Sequence, residues 1–211
     1  MSLEGALQEY KAYFEDKLEQ YGAVPEGVDY NGRPAQQLRF EQLVRVINPA
    51  HTFELTDYGC GYGALFEFLT QKGWTFTYCG YDMLEKMVVA GREAHRDYPN
   101  ATFTDDEKTL RPCDYLLAGA IFNNKFKATA AEWRDHVLPE LDKMNRLARS
   151  GFAFNMLSNY SDPARIAERP DLYFADPLLY FDYCKRNFSR DVALLHDYGL
   201  YDFTILVRKL G

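Results

Sequence analysis

The chain has 211 residues, of which 24 are Lys or Arg and 31 are Asp or Glu, giving a formal charge of −7 with 47% hydrophobic residues. That length suits one domain with a full core, and the acidic balance disfavours a nucleic-acid partner, which calls for a basic face. No apolar run approaches the roughly 20 residues that span a bilayer and no signal-peptide pattern precedes the first helix, so a cytoplasmic protein with no membrane contact is expected.

The predicted elements alternate between helix and strand. Leu3, Leu7, Tyr10, Phe14, Leu18 and Tyr21 recur every three or four residues, the mark of an amphipathic helix. Glycine and proline punctuate residues 22–33, which read as a loop. Pro34 starts a helix that carries Leu38, Leu43, Val46 and Ile47 inward and ends before Pro49. Thr52, Phe53, Leu55 and Thr56 suit a buried strand. A glycine turn, Asp57-Tyr58-Gly59-Cys60-Gly61-Tyr62-Gly63, leads into a short helix with Ala64, Leu65, Phe66, Phe68 and Leu69 inward, stopped by Gly73. A second strand, 75–81, ends in Asp82. A helix over 84–95, a short strand at 101–103 and a fourth strand over 114–119 follow. Trp133, Val137, Leu141, Met144 and Ala148 mark a long helix expected to kink or restart at Pro139. Residues 151–156 form strand five. Turn chemistry mixed with aromatics then runs to Ala175, and Asp176-Pro177 opens another helix. Two strands, 192–196 and 201–207, close the chain; so short a link between them makes them antiparallel.

The chemistry concentrates at the glycine turn. Glycines between a strand and a helix let backbone approach a ligand, and the helix start offers unpaired N–H groups to an anionic part of it. Asp82, at the tip of the second strand, is placed to accept hydrogen bonds from ribose hydroxyls. Together they indicate a nucleoside-containing cofactor. Gly59-x-Gly61-x-x-Ala64 also satisfies the looser dinucleotide fingerprint, which leaves an NAD-dependent oxidoreductase open at this point. Cys60, Cys79, Cys113 and Cys184 are scattered, as are His51, His95, His136 and His196, so neither a metal site nor a disulfide framework is expected.

Read as Asp57-x-Gly59-x-Gly61-x-Gly63, and followed by the closing hairpin, the chain resembles the class I S-adenosylmethionine-dependent methyltransferases from about Leu38 to Lys209. The resemblance implies an α/β, Rossmann-like sheet of seven mostly parallel strands with helices on both faces, the last strand antiparallel between the fifth and sixth. It implies S-adenosylmethionine as cofactor, with Gly59, Cys60 and Gly61 under the methionyl part and Asp57 near its amino group. Asp82 would hold the ribose and Met83 would pack on the adenine. Asp105 and Asp106 compete to accept from the adenine amine, and Gly119 and Ala120 would line the cofactor. The sequence at Gly119-Ala120-Ile121-Phe122 is not Asp/Asn-Pro-Pro-Tyr, which argues against methylation of nucleobase amines. Tyr58 stands where relatives carry a small aliphatic residue, and is expected to pack under the cofactor, with a position facing the adjoining helix as its alternative. Arg39 is a candidate for the cofactor carboxylate, with a surface pair to Glu41 as its alternative. His196, a candidate general base, and Asn123, which could orient a polar acceptor, are the catalytic candidates.

The expected function is methyl transfer to a small polar molecule, with a cofactor-binding scaffold or sensor as the alternative. One domain, 1–211, is expected. In it residues 1–33 form a lid and 157–188 a substrate cover, both rich in Tyr and Phe.

Overall fold

A computed structural model describes residues 3–209. In chain order the elements are α1 (Leu3–Tyr21), α2 (Arg33–Leu43), β1 (Phe53–Tyr58), α3 (Ala64–Gln71), β2 (Phe76–Tyr81), α4 (Glu85–Ala94), β3 (Ala101–Thr104), β4 (Cys113–Ala118), α5 (Ala130–Leu147), β5 (Ala148–Leu157), α6 (Pro163–Glu168), α7 (Pro177–Asn187), β6 (Asp191–Leu195) and β7 (Asp202–Arg208). The seven strands form one sheet in the order β3-β2-β1-β4-β5-β7-β6. β1 pairs in parallel with β2 and β4, and β7 lies antiparallel between β5 and β6. This is the arrangement expected from the closing hairpin.

Strand periodicity sorts the core into two layers. On β5, Phe152, Phe154 and Met156 face one side, where they meet Phe203, Ile205 and Val207 of β7 and the α5 and α7 side chains Trp133, Val137, Leu141 and Tyr180. Ala153 and Leu206 face the other side, under Phe40 and Leu43 of α2 and Leu65, Phe66 and Leu69 of α3. Successive side chains of a strand point to opposite faces, so helices on both sides require strands that are apolar throughout. The burial of β5 and β7 fits this, with only their ends less than buried.

Three elements differ from the sequence reading. α5 runs unbroken through Pro139, because Trp133 and Val137 before it and Leu141 and Met144 after it are all buried against the sheet. Proline there removes one backbone hydrogen bond, and packing on both flanks outweighs that loss. A capping box, Thr129 with Glu132, fixes where α5 starts. β5 begins at Ala148, directly after α5, and not at Gly151. The short helix α6 stands where turn structure was expected. Among the described residues no helix is long and apolar enough to cross a membrane.

Candidate functional site

β1 has β2 on one side and β4 on the other, so successive connections leave it in opposite directions. Open α/β sheets bind ligands at such a point, outside the carboxyl ends of the strands. A cavity of about 150 Å³ lies there. Its floor is the glycine turn with Asp57 and Asp82; Gly119 and Ala120 follow β4. Its walls are Tyr10 and Phe14 of α1, Tyr30, Arg39 of α2, and Arg165, Arg169 and Leu172 beyond β5.

The glycine turn is held from beneath. Gly59 and Cys60 donate their N–H groups to the Tyr81 carbonyl at 2.7 and 2.9 Å. Gly59 and Gly61 take φ of 81° and 53°, the left-handed region. Gly61 donates to Asp82 Oδ2 at 2.9 Å, and the Leu84 N–H donates to Asp82 Oδ1 at 3.0 Å. Asp82 therefore ties the glycine turn to the start of α4 and has its carboxylate plane fixed. Burial pushes Asp82 up to about 6, against the two backbone donors. Asp57 accepts from the Tyr78 hydroxyl at 2.7 Å. Burial pushes it up to about 7, opposed by that hydrogen bond and helped by the neighbouring Asp82. Two buried carboxylates side by side favour a ligand that brings positive charge or hydroxyl donors.

The cavity also presents donors. Arg39 is bound through Nε to the fully buried Asp202 and through an Nη to the Ala35 carbonyl at 3.0 Å. Asn155 Nδ2 lies 3.4 Å from the same carboxylate, and Asn155 Oδ1 accepts from the Ala120 N–H at 2.9 Å. That bond holds Ala120 at φ 62°, a conformation costly for a residue with a side chain. Asn123 Oδ1 accepts from the Leu157 N–H at 2.9 Å, which joins the ends of β4 and β5. Burial pushes the hydroxyls of Tyr10 and Tyr30 far above the ordinary phenol value, so both are neutral.

Asp57, Gly59, Cys60, Gly61, Asp82, Gly119, Ala120, Arg39 and Asn123 thus share one cavity. The other candidates lie elsewhere. Met83 packs among Phe14, Leu84 and Met87 beneath α1, and Leu84 and Met87 take the place on the wall. Asp105 and Asp106 are exposed beyond β3, and Asp106 is used to cap the turn over 107–109 through the Lys108 N–H at 3.0 Å. His196 is exposed at the end of β6, near Tyr160 and Phe203. β6 is the edge strand, three strand spacings (about 14 Å) from β4. Tyr58 does not pack beneath the cavity. It alternates with Asp57 and so faces α5, its hydroxyl 2.7 Å from Glu140, with Glu107 and Lys143 completing the cluster. Arg39 is not a surface residue paired with Glu41, whose partner is Lys72. The sequence reading missed Asp202, Tyr30, Arg165 and Arg169. Only Asp202 carried a signal, an acid at the start of an otherwise apolar strand.

No protein-family model matches the chain. A Mycobacterium tuberculosis protein named "Putative methyltransferase Rv1506c" is 46% identical over 166 residues, which are 79% of this chain and 99% of that one. Among solved structures, the N-methyltransferase NodS of Bradyrhizobium japonicum WM9, in complex with S-adenosyl-L-homocysteine, superposes with a TM-score of 0.67 at 12% identity, covering 94% of this chain and 97% of NodS. An S-adenosylmethionine-dependent methyltransferase of Mesorhizobium loti gives 0.55 at 14% identity, covering 82% and 98%. At such identities the two structures speak for the fold.

Proposed function

This chain belongs to the class I S-adenosylmethionine-dependent methyltransferases, and from that membership we propose that it transfers the methyl group of S-adenosylmethionine to a small polar acceptor. The observation that carries the reading is the pairing of Asp57 and Asp82 beside a glycine turn at the switch point of the sheet.

The residues present fit such a donor. Each oxygen of Asp82 accepts one backbone bond and keeps a second acceptor site, so a ribose diol can be held without disturbing the turn. Asp57 is placed for the donor's ammonium group, whose charge would offset the burial that raises this carboxyl. Leu84 and Met87 supply an apolar wall for the base, the role first given to Met83. The bound donor's sulfonium supplies the electrophilic methyl and the drive for transfer. The protein's work is alignment and exclusion of water. α1 places Tyr10 and Phe14 over the cavity from one side, and the segment after β5 places Arg165, Arg169 and Leu172 from the other. In this reading the cover comes from α1, the stretch after it and residues 157–172, while α7, the rest of the segment expected as a cover, packs in the core; such a cover favours a small acceptor over a folded nucleic acid. His196 has no part in this scheme, and Asn123 acts by holding β4 and β5 together. A cytoplasmic setting is part of the same proposal.

Calorimetry tests the reading. S-adenosylhomocysteine is expected to bind and NADH not, and Asp82→Asn to weaken the first by about 1.5–3 kcal/mol, the worth of hydrogen bonds to a charged acceptor. Undiminished binding by Asp82→Asn would overturn the ribose role, and tight NADH binding the cofactor.

A further inference from the structure

Apart from the carboxylates Asp57 and Asp82, the charged groups around the cavity are almost all matched. Arg39 is paired with Asp202, Arg169 with Asp171 at 2.7 Å, and Asp29 with Lys17 at 3.1 Å. Arg165 is the exception: among the described residues it forms no ion pair, and its buried Nε has no hydrogen-bond partner. One face of its guanidinium lies over the Tyr201 ring, 4.4 Å from the centroid, which sets the plane of the group without satisfying its donors. Asn124 lies on the same cavity lining. The residue is 5% exposed, and its Nδ2 is buried and likewise without a partner. A donor left unpaired in the interior costs free energy comparable to a lost hydrogen bond, and more when it is charged. Two such donors lining one cavity mark a place where a ligand completes the hydrogen bonding.

We propose that Arg165 and Asn124 form an anion subsite that holds the methyl acceptor by a carboxylate group. This inference rests on the methyltransferase reading above. A guanidinium edge and an amide N–H offer donors to the two oxygens of a planar carboxylate. One unmatched cation balances one negative charge, which favours a carboxylate over a doubly charged phosphate. The surrounding side chains agree. Asn123 Oδ1 is taken by the Leu157 N–H and Asp202 Oδ2 by Arg39, Asp171 is held by Arg169, and Tyr30 is kept neutral as a donor; Asp202 Oδ1, behind Arg39 and outside the lining, is the one of these acceptors without a partner. Arg165, Asn124 and Tyr30 therefore offer donors to acceptor atoms of a ligand. The carboxylates of the cavity that could receive a cation are Asp57 and Asp82.

The test uses the full chain saturated with S-adenosylhomocysteine, titrated by calorimetry with benzoate against benzamide and with glucuronate against glucose. In at least one pair the carboxylate is expected to bind about tenfold tighter or better, the yield of a charge-assisted hydrogen bond. Arg165→Gln should abolish that preference and leave S-adenosylhomocysteine affinity within about twofold. Arg165→Lys keeps the charge and the stem and should retain part of the preference, which guards against a folding defect in the first variant. Absence of a preference in both pairs, or its survival in Arg165→Gln, overturns the inference. So does an equal loss of S-adenosylhomocysteine affinity in Arg165→Gln, which would give the guanidinium to the donor's own carboxylate. Phenyl phosphate binding tighter than benzoate overturns the assignment to a carboxylate. Failure of the unaltered protein to bind S-adenosylhomocysteine instead overturns the methyltransferase reading, and this inference with it.

Discussion

Arg39→Met should be among the most damaging single changes in this protein, for a reason that is not catalytic. Arg39 and Asp202 are 163 positions apart and join α2 to the start of β7. Their side chains are 12% and 0% exposed. Removing the cation leaves Asp202 as a buried carboxylate whose remaining contact is Asn155 Nδ2 at 3.4 Å, with Oδ1 unpartnered. Breaking a buried pair in this way costs about 3–5 kcal/mol, most of it the uncompensated charge. In a chain of this size each kcal/mol moves the melting midpoint by about 2–4 °C, so a fall of about 6–20 °C is expected. Arg39→Met/Asp202→Asn removes both charges and should be more stable than Arg39→Met alone by about 1–3 kcal/mol, the coupling of residues in contact. Urea unfolding followed by circular dichroism measures all three differences, read at constant slope. A loss below about 1 kcal/mol for Arg39→Met, or simple additivity in the double variant, would refute the argument and return Arg39 to the surface.

Asp57 has its carboxyl raised to about 7 from an ordinary 3.8, so between those values the native state holds a proton the unfolded chain has released, and stability is lost as pH rises. Asp57→Asn should therefore gain on the unaltered protein from about pH 4 to 7 and no further above it, a comparison of urea midpoints in which the contributions of His95 and His136 cancel. S-adenosylhomocysteine affinity should rise over the same interval as Asp57 and Asp82 ionise, and a flat calorimetric profile from pH 5 to 8 would contradict both roles. His196→Ala should change neither melting point nor cofactor affinity, since exposed substitutions stay within about 0.5 kcal/mol. Deletion of residues 1–22 should weaken S-adenosylhomocysteine binding by about tenfold or more, because Tyr10 and Phe14 stand beside Asp82, Leu84 and Met87; binding preserved within a few fold would make α1 a lid over the acceptor alone.

What the sequence made legible was local. The Gly59–Gly63 turn, the strand ending in Asp82 and the hairpin between β6 and β7 each lie within a few residues of chain, where turn chemistry and periodicity act. Tyr58 was also within reach. Strand alternation from Phe53 and Leu55 puts Asp57 on their face and Tyr58 on the other, toward α5. α6 was signalled too, since Asp162-Pro163 repeats the opening of α7 at Asp176-Pro177, although Asp162 makes no capping bond and Asp176 does. Asp105 and Asp106 failed for a different reason. Both follow the edge strand β3, where a three-residue turn uses Asp106 as its cap and leaves both exposed. No pattern along the chain could show that Arg39 meets Asp202, or that Arg165 and Asn124 line one cavity.

Those distant contacts also change what the glycines mean. A side-chain carbon on Gly61 would come within 2.9 Å of Val28 Cγ1, and one on Gly59 within 2.2 Å of Ile121 Cγ2. Both positions already demand glycine through their positive φ. The turn is therefore constrained twice, by its own backbone and by the segments that cover it. Val28 belongs to the stretch after α1, and Ile121 to the connection after β4. The part of the chain that the common fold does not account for thus packs directly on the part that defines the fold. Residues 22–33 are a component of the cavity and not an appendage to it, which is why removing α1, against which Val28 also packs, should be felt at the cofactor as well as at the acceptor. The segment after β5 is different: Arg165, Arg169 and Leu172 line the cavity without touching the glycines. Change there can alter which molecule is accepted while the turn and the two carboxylates stay as they are, and that separation makes Arg165 the informative residue to vary.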